Sequence, residues 1–416
     1  MILFHLVCIF VFCLVALGSV RRSEDRLRFR WSVNPFWIVL ILYLSSAMSS
    51  LFVTEEMLPY FDFSRHSWSS FFLYTVSTLV LLSPILFFKG AKLPPVYIRK
   101  TRFVTLALTV LSFGVWFAFL YQLPYAVKSL GLGALEVRQS LNVDGKGILP
   151  ETIMTTFSVV LSSFYVVFAL LFYICVVSRF SVFHKVSMLL GSSLYVVSSL
   201  TFSARDGGVF WIMTMAFVYG LYAPSMSLSL KRKMRMLSFL LFVPPAVFVV
   251  MFTLQRFYAE GSMLRLMGGS IGYIGQQPYV FSETVLNQNE FYGLSLRFPL
   301  LAQLLGGTDA VVRTEVYEWT FGGLPKDFYA VGGYGALVGL IFIFVLPFCI
   351  FFKYKKRIDL SFYIVMALYF QFITSGIFYF RLGTRSGNLY IFIVLILVFL
   401  LSLSFYLNGK ERNDYR

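Results

Sequence analysis

The chain has 416 residues, of which 58% are hydrophobic, 19% are aromatic and only 13% are charged, and this composition excludes a soluble globular protein. The formal net charge is +16. The basic residues are divided among the ends of apolar stretches instead of being clustered on one surface, which excludes nucleic acid as a partner.

A helix needs about twenty apolar residues to span a membrane, and we count about eleven stretches of this kind in the sequence. They lie near residues 1–20, 36–53, 68–88, 103–121, 152–177, 187–203, 207–225, 237–254, 330–352, 360–380 and 390–407. The stretches at 187–203 and 207–225 are close enough to form a tight hairpin. The sequence therefore predicts an all-α integral membrane protein, a polytopic bundle of about eleven transmembrane helices that forms a single domain over residues 1–416.

The connectors between these stretches differ in charge, and the difference predicts an orientation. Most of the 35 lysines and arginines lie in one alternating set of short connectors, whereas most of the 19 acidic residues lie in the other set. Short loops rich in Lys and Arg stay on the cytoplasmic side. We therefore predict that the N-terminus lies outside and the C-terminus lies in the cytoplasm.

Two of the predicted outer segments are long. The smaller one covers residues 122–151 and contains Arg138, and the larger one covers residues 255–329. A loop of this length inside a compact domain is usually functional. Within the larger loop, residues 279–286 and 298–305 show helical spacing of apolar residues, which predicts short helices lying at the membrane interface.

Arginines gather on the predicted outer side of the membrane. The larger loop contains Arg256, Arg265, Arg297 and Arg313, and two short turns between spans contain Arg205, Arg381 and Arg385. Because arginine stays charged and can donate two parallel hydrogen bonds to a phosphate, this set favours an anionic ligand such as a lipid-linked phosphate. Local ion pairs are the alternative: Arg205 with Asp206, Arg297 with Glu290, and Arg313 with Glu315.

Aromatic residues in the larger loop have two interpretations. Tyr273 and Tyr279 could stack against sugar rings, or they could belong to an aromatic belt at the interface. No nucleotide-binding or nucleophile motif accompanies them, so the sequence gives no support for ATP-driven transport.

Three stretches carry a resemblance to a known family. They are Phe202–Gly208, which contains Arg205; Tyr273–Tyr279, which ends in Pro278 and Tyr279; and Trp319–Tyr329 with the glycine-rich residues 332–339. With the predicted topology, the chain resembles the Wzy-type O-antigen polymerases, also called oligosaccharide repeat-unit polymerases. It departs from the family's Ser-Gly-Ser-Arg-Gly turn because Ala204 stands where glycine is usual and Asp206 intervenes before Gly207.

The resemblance implies a GT-C-like fold in the bacterial inner membrane, with the N-terminus in the periplasm and the C-terminus in the cytoplasm. It also implies a glycosyltransferase that joins undecaprenyl-diphosphate-linked oligosaccharides into a surface polysaccharide on the periplasmic side. Such a site must hold two lipids and offset diphosphate charge, which arginine can do without a metal or other cofactor. The implied partners are the lipid-linked substrate, membrane lipids, and a chain-length regulator and a flippase of the same pathway. The residues predicted on this basis are Arg205 for diphosphate contact, Glu283, Asp327 or Asp206 as the base, and Arg138, Arg256, Arg265, Arg297, Arg313, Arg381, Arg385, Tyr273 and Tyr279 for substrate binding.

Three other function classes fit the sequence less well. A lipid-linked oligosaccharide flippase predicts twelve or more spans in two related halves, and no such repeat is visible. The related O-antigen ligases are expected to carry a histidine in the large outer loop, and residues 255–329 contain none. A scaffold or chain-length regulator would have few spans and a long coiled domain.

Overall fold

The computed structural model describes residues 1–17, 34–57, 66–88, 96–132, 137, 148–202, 204–257, 267–287, 291, 293–306, 321–355 and 358–413. Every regular element within these ranges is helical. The α-helices longer than one turn are α1 (Ile2–Leu17), α2 (Trp37–Ser49), α3 (Trp68–Leu82), α4 (Arg102–Leu132), α5 (Ile153–Ser163), α6 (Tyr165–Val177), α7 (Val182–Leu200), α8 (Asp206–Tyr222), α9 (Leu228–Phe257), α10 (Gln277–Asn287), α11 (Pro299–Leu304), α12 (Gly323–Tyr354), α13 (Leu360–Gly376) and α14 (Arg385–Asn413).

Each predicted apolar stretch falls on one of these helices or on a consecutive pair. In the described part of the chain, six helices are long and apolar enough to cross a membrane, or seven if α5 and α6 form one span bent by 62°. Helices α1, α2 and α13 are also apolar but shorter. The chain is therefore an all-α, multi-pass membrane protein, and a total of about eleven spans stays a prediction.

The helices group into two compact units. The first unit comprises Met1–Lys92, Glu260–Arg357 and Tyr369–Asn388, and the second comprises Leu93–Ala259, Ile358–Leu368 and Leu389–Arg416. Helices α13 and α14 each contribute residues to both units.

Polar side chains tie the helices of the first unit together. Asn34 donates from Nδ2 to the carbonyls of Ala16 and Ile85, each at 3.2 Å. The hydroxyl of Tyr369 donates to the carbonyl of Leu81 at 2.8 Å. Buried polar groups are costly unless they are hydrogen-bonded, so these contacts fix how α1, α3 and α13 pack.

Part of the predicted outer loop lies inside the first unit. Residues 277–284 of α10 are all buried, although a helix lying at the membrane interface would expose one face. Their polar groups find partners on α2 and α3: Ser46 donates to Gln277 at 3.1 Å, and the hydroxyls of Ser70 and Ser282 are 2.6 Å apart. The predicted helicity of 279–286 is confirmed, and the reason for its burial is this set of hydrogen bonds.

The short helix α11 covers most of the predicted turn at 298–305 and is more exposed than α10. Leu304 is exposed, whereas Ala302 is buried.

In the second unit, α7 packs between α4 and α8. Trp116 of α4 donates from Nε1 to the hydroxyl of Ser187 at 3.1 Å, and Trp211 of α8 donates to Ser192 at 3.0 Å. Helices α7 and α8 form the predicted hairpin, because α8 begins only six residues after α7 ends and the hydroxyl of Tyr195 donates to the carboxylate of Asp206.

Candidate functional site

A buried ion pair in the first unit joins one predicted arginine to one predicted carboxylate. Asp327 lies in the first turns of α12 and is 3% exposed. Its Oδ1 accepts a hydrogen bond from Nη2 of Arg297 at 2.7 Å. Its Oδ2 accepts the backbone N–H of Phe380. Both carboxylate oxygens of Asp327 therefore have donors, as a buried charge requires.

The aromatic neighbours of these residues form a cluster beneath the ion pair. Phe298 follows Arg297 and Phe328 follows Asp327 in the sequence. The rings of both lie 5.4 Å from the ring of Phe380. The ring of Phe344 in α12 is also 5.4 Å from Phe380. Since these rings are excluded from water, the cluster fixes the backbone from which the ion pair extends.

Arg297 also contacts the turn between α13 and α14. Its carbonyl accepts a hydrogen bond from Nδ2 of Asn388 at 3.2 Å, and the same Nδ2 donates to the carbonyl of Leu382 at 2.7 Å. A Cβ atom at Gly383 would lie 3.0 Å from Cδ of Arg297. The side chain of Arg297 therefore lies directly against the Arg381–Gly383 turn. We call residues 381–385 the arginine turn.

The sequence builds the arginine turn from a 3₁₀ segment followed by a capped helix. The Gly383 N–H donates to the Phe380 carbonyl at 2.9 Å, and Thr384 Oγ1 accepts the N–H of Gly387 at 3.1 Å as the N-cap of α14. A Cβ at Gly387 would lie 2.6 Å from Cα of Leu382, so only glycine permits this approach. The result is a rigid turn that carries Arg381 and Arg385 at the N-terminus of a long helix.

Three predicted substrate-binding arginines thus meet in one place. Arg297 lies more than eighty positions before Arg381 and Arg385 in the sequence and reaches them only through the fold. Arg381 is half-buried, and Arg385 is exposed at the first position of α14. Guanidinium groups beside a helix N-terminus form an electropositive surface suited to a phosphate or diphosphate.

Of the other predicted residues of the first unit, Glu283 and Tyr279 are buried and Tyr273 is half-buried. Glu283 is 4% exposed, and its Oε1 accepts a hydrogen bond from Asn287 one turn later in α10. The hydroxyl of Tyr279 donates to the carbonyl of Ser50 at 2.9 Å, and burial raises the pKa of Tyr279 to about 12. Tyr273 packs edge-on against Phe321 with the ring centroids 4.7 Å apart. The geometry gives both tyrosines packing roles.

Arg205 belongs to the second unit, where it precedes α8. Its Nη1 donates to the hydroxyl of Thr253 in α9 at 2.8 Å. The neighbouring Asp206 accepts the hydroxyl of Tyr195. These bonds hold Arg205 at the start of α8, where the helix N-terminus adds a second electropositive element.

The remaining predicted residues cannot be placed in this geometry. Arg138, Arg265 and Arg313 lie outside the described residues, as does Glu290, the local partner predicted for Arg297. The backbone of Arg256 is part of α9, and its side chain is not described.

Two residues of this region were not predicted from the sequence. Lys326 is 3% exposed beside Asp327, and Asn388 joins Arg297 to the arginine turn. The pair Lys326-Asp327 carried a signal, since two adjacent charges directly before an apolar span are costly to bury without a purpose. Asn388 carried none, because its role depends on a residue 91 positions away.

Searches with this chain against protein-family models, sequences of characterised proteins and solved structures return no match.

Proposed function

We propose that the protein is a glycosyltransferase that polymerises lipid-diphosphate-linked oligosaccharide repeat units. Two features support this proposal: the chain is a multi-pass membrane protein, and its first unit gathers arginines at a helix N-terminus. The sequence resemblance to the Wzy-type polymerases supplies the reaction. In this proposal the arginine turn faces the periplasm and binds undecaprenyl diphosphate in a GT-C-like scaffold.

The observation that carries the proposal is the contact between Arg297 and the arginine turn. Arg297 is more than eighty positions away in the sequence, and it packs against the turn that carries Arg381 and Arg385. A diphosphate needs several hydrogen-bond donors of fixed geometry, and guanidinium groups supply them more effectively than single ammonium groups.

The proposed reaction transfers the growing chain to the next lipid-linked unit. A hydroxyl oxygen of the incoming unit forms a bond with the anomeric carbon of the growing chain. The bond between that carbon and the diphosphate oxygen breaks, and the electron pair leaves with undecaprenyl diphosphate. The hydroxyl proton passes to a carboxylate or to the departing diphosphate. Cations that hold the diphosphate stabilise the negative charge that develops on it in the transition state.

The arginines have different roles in this proposal. Arg381 and Arg385 contact the diphosphate, and Arg297 holds the turn that carries them. Arg205, in the second unit, is proposed to contact a diphosphate as well. Of the carboxylates considered as a base, Glu283 and Asp206 keep that proposed role, and Asp327 binds Arg297 and the N–H of Phe380 through its two oxygens. The chain-length regulator and the flippase remain proposed partners.

The experiment that tests this function compares surface polysaccharide from the source bacterium with and without the gene. Loss of the polysaccharide ladder with accumulation of single-unit product is the expected result. The deletion strain is then complemented with wild type, Arg385→Ala or Arg205→Ala. Neither variant should restore the ladder, although both proteins should be present in the membrane.

Two outcomes contradict the proposal. A ladder that persists in the deletion strain excludes the polymerase, and loss of all surface glycan, single units included, favours a flippase.

A further inference from the structure

Asp327 and Asn388 share a feature that is typical of residues that hold a structure in place. Each binds two different segments at once. Asp327 of α12 bridges the side chain of Arg297 and the N–H of Phe380, and Asn388 of α14 bridges the carbonyls of Arg297 and Leu382.

We propose that Asp327 and Asn388 are positioning residues that fix the arginine turn in the geometry needed to bind a prenyl diphosphate. This inference rests on the proposed function, since it concerns the same site. It assigns Asp327 a role different from proton transfer and gives Asn388 a role in the site.

Asp327 uses both carboxylate oxygens to hold its neighbours. A carboxylate that accepts a proton during turnover needs an oxygen available to the reacting hydroxyl. Oδ1 accepts from a guanidinium at 2.7 Å, Oδ2 accepts a backbone N–H, and the residue is 3% exposed. Its contacts hold Phe380, the residue directly before Arg381, so Asp327 acts on the substrate through the turn.

Asn388 binds the arginine turn from the first residues of α14. Its two side-chain N–H groups face two carbonyl acceptors, one in the turn and one on Arg297. Its backbone N–H also donates to the carbonyl of Thr384 at 2.8 Å, in the first turn of α14. Asn388 therefore ties the first turn of α14, which carries Arg385, to Leu382 and to Arg297.

Asparagine cannot replace Asp327 and keep both of its hydrogen bonds. In Asp327→Asn, one of the two bound positions must receive an amide NH₂ group, which would face the N–H of Phe380 or the guanidinium of Arg297. Two donors would then oppose each other, whichever way the amide is oriented. Asp327→Glu keeps two acceptor oxygens and is expected to restore part of the function.

The chain offers matched controls for both substitutions. Asn34 also donates from Nδ2 to two backbone carbonyls and is buried in the first unit, but it contacts Ala16 and Ile85. Asp359 also accepts a side-chain and a backbone donor, Ser361 Oγ and the N–H of Phe362, at the start of α13. Asn34→Ala removes two such bonds away from the arginine turn, and Asp359→Ala removes both of the bonds that Asp359 accepts on its Oδ1.

The first measurement is hydrogen–deuterium exchange of the purified full-length protein in nanodiscs, without ligand. Asn388→Ala and Asp327→Asn should each accelerate exchange of the amides in residues 380–387, and Asn34→Ala and Asp359→Ala should leave that segment unchanged. If Asn388→Ala does not accumulate, Asn388→Ser, which keeps one donor, takes its place. Unchanged exchange at 380–387 in both site variants would overturn the positioning role, whatever the protein binds.

The second measurement is binding of farnesyl diphosphate, a short prenyl diphosphate, to the same proteins. Asn388→Ala and Asp327→Asn each weaken the hydrogen bonds that hold the turn. Loss of about one hydrogen bond corresponds to a Kd roughly tenfold higher for each variant. Asp327→Glu should recover part of this loss, and the two controls should bind like wild type even where their unfolding temperature is lower.

The exchange and binding measurements distinguish failure of the positioning role from failure of the proposed function on which it rests. Wild type that does not bind farnesyl diphosphate contradicts the proposed substrate class, and with it the role of the turn in binding. Wild type that binds, with both site variants binding equally well, contradicts the inference alone.

Discussion

A single methyl group at Gly275 should displace the buried segment of the predicted outer loop from the first unit. Gly275 lies just before α10, and its Cα faces the end of α2. A Cβ built there would lie 2.6 Å from the carbonyl carbon of Ser49 and 2.6 Å from the N atom of Ser50. Backbone atoms cannot rotate away as a side chain can, so Gly275→Ala must push α2 and the segment apart.

The size of the effect follows from the contacts that this movement strains. Overpacking of a close interface typically costs about 1–3 kcal/mol. The same movement stretches two hydrogen bonds, from Ser46 to Gln277 and from Tyr279 to the Ser50 carbonyl, each with a net contribution of about 1 kcal/mol. We therefore expect Gly275→Ala to lower the free energy of unfolding by about 3–5 kcal/mol.

The matched control is Gly272→Ala, three residues earlier in the same segment. The nearest atom to a Cβ at Gly272 is Cβ of Met57 at 3.9 Å, an ordinary contact. Gly272 has helical φ and ψ, so alanine there should be neutral or slightly stabilising. The assay is equilibrium unfolding of the detergent-solubilised protein, and equal stability of Gly275→Ala and Gly272→Ala would refute the packing of this segment against α2.

Three further predictions concern the turn and the buried tyrosine. Gly387→Ala, whose Cβ would meet Cα of Leu382 at 2.6 Å, should weaken farnesyl diphosphate binding, whereas Gly335→Ala, with no atom within 4 Å, should bind like wild type in the same titration. Arg385→Gln should raise the Kd roughly tenfold without changing the unfolding temperature, because Arg385 is exposed; an equal Kd would remove it from the site. Because the pKa of Tyr279 is raised from 10.0 to about 12, its contribution to stability should be complete below pH 10 and be lost as the pH rises toward 12. Tyr279→Phe should abolish this part of the pH dependence of unfolding, and an unchanged profile would contradict the assignment.

Helix positions could be predicted from the sequence because they depend on local composition. Runs of about twenty apolar residues leave the backbone no hydrogen-bond partner except itself, so each run forms a helix. The tight hairpin of α7 and α8 also follows from sequence, since only a few residues separate the two apolar stretches. The bend between α5 and α6 did not follow, because Phe164, at which the helix breaks, is itself an apolar residue within the run.

The location of α10 could not be predicted, for a physical reason that particular residues make clear. Its sequence mixes Gln277, Ser282 and Glu283 with apolar residues, a pattern that indicates exposure of one face to water. Gln277 and Ser282 are buried against partners on α2 and α3, Ser46 and Ser70, and Glu283 accepts a hydrogen bond from Asn287 of its own helix. Serines in apolar helices are compatible with many environments, so this match is visible only in three dimensions.

The partner of Arg297 shows the same limit for charges. The sequence suggests Glu290, seven residues away, as one alternative partner, because only nearby opposite charges can be paired from a sequence, and Glu290 lies outside the described residues. The structure pairs Arg297 with Asp327, which lies 30 residues later on a different helix. The aromatic residues that follow each partner, Phe298 and Phe328, bring the two together by packing on Phe380.

This pairing decides which arginines supply the charge for an anionic ligand. Arg297 and Asp327 lie 2.7 Å apart, so together they have almost no net charge, and an approaching diphosphate gains little from Arg297. In the proposed site, Arg381 and Arg385 are the residues assigned to contact the diphosphate, whereas Arg297 contributes geometry. Arg297→Lys keeps the charge and changes the shape of the side chain. It should therefore weaken diphosphate binding, although an argument from charge alone predicts no change. Arg385→Lys should retain more affinity than Arg385→Gln, because part of its contribution is charge alone.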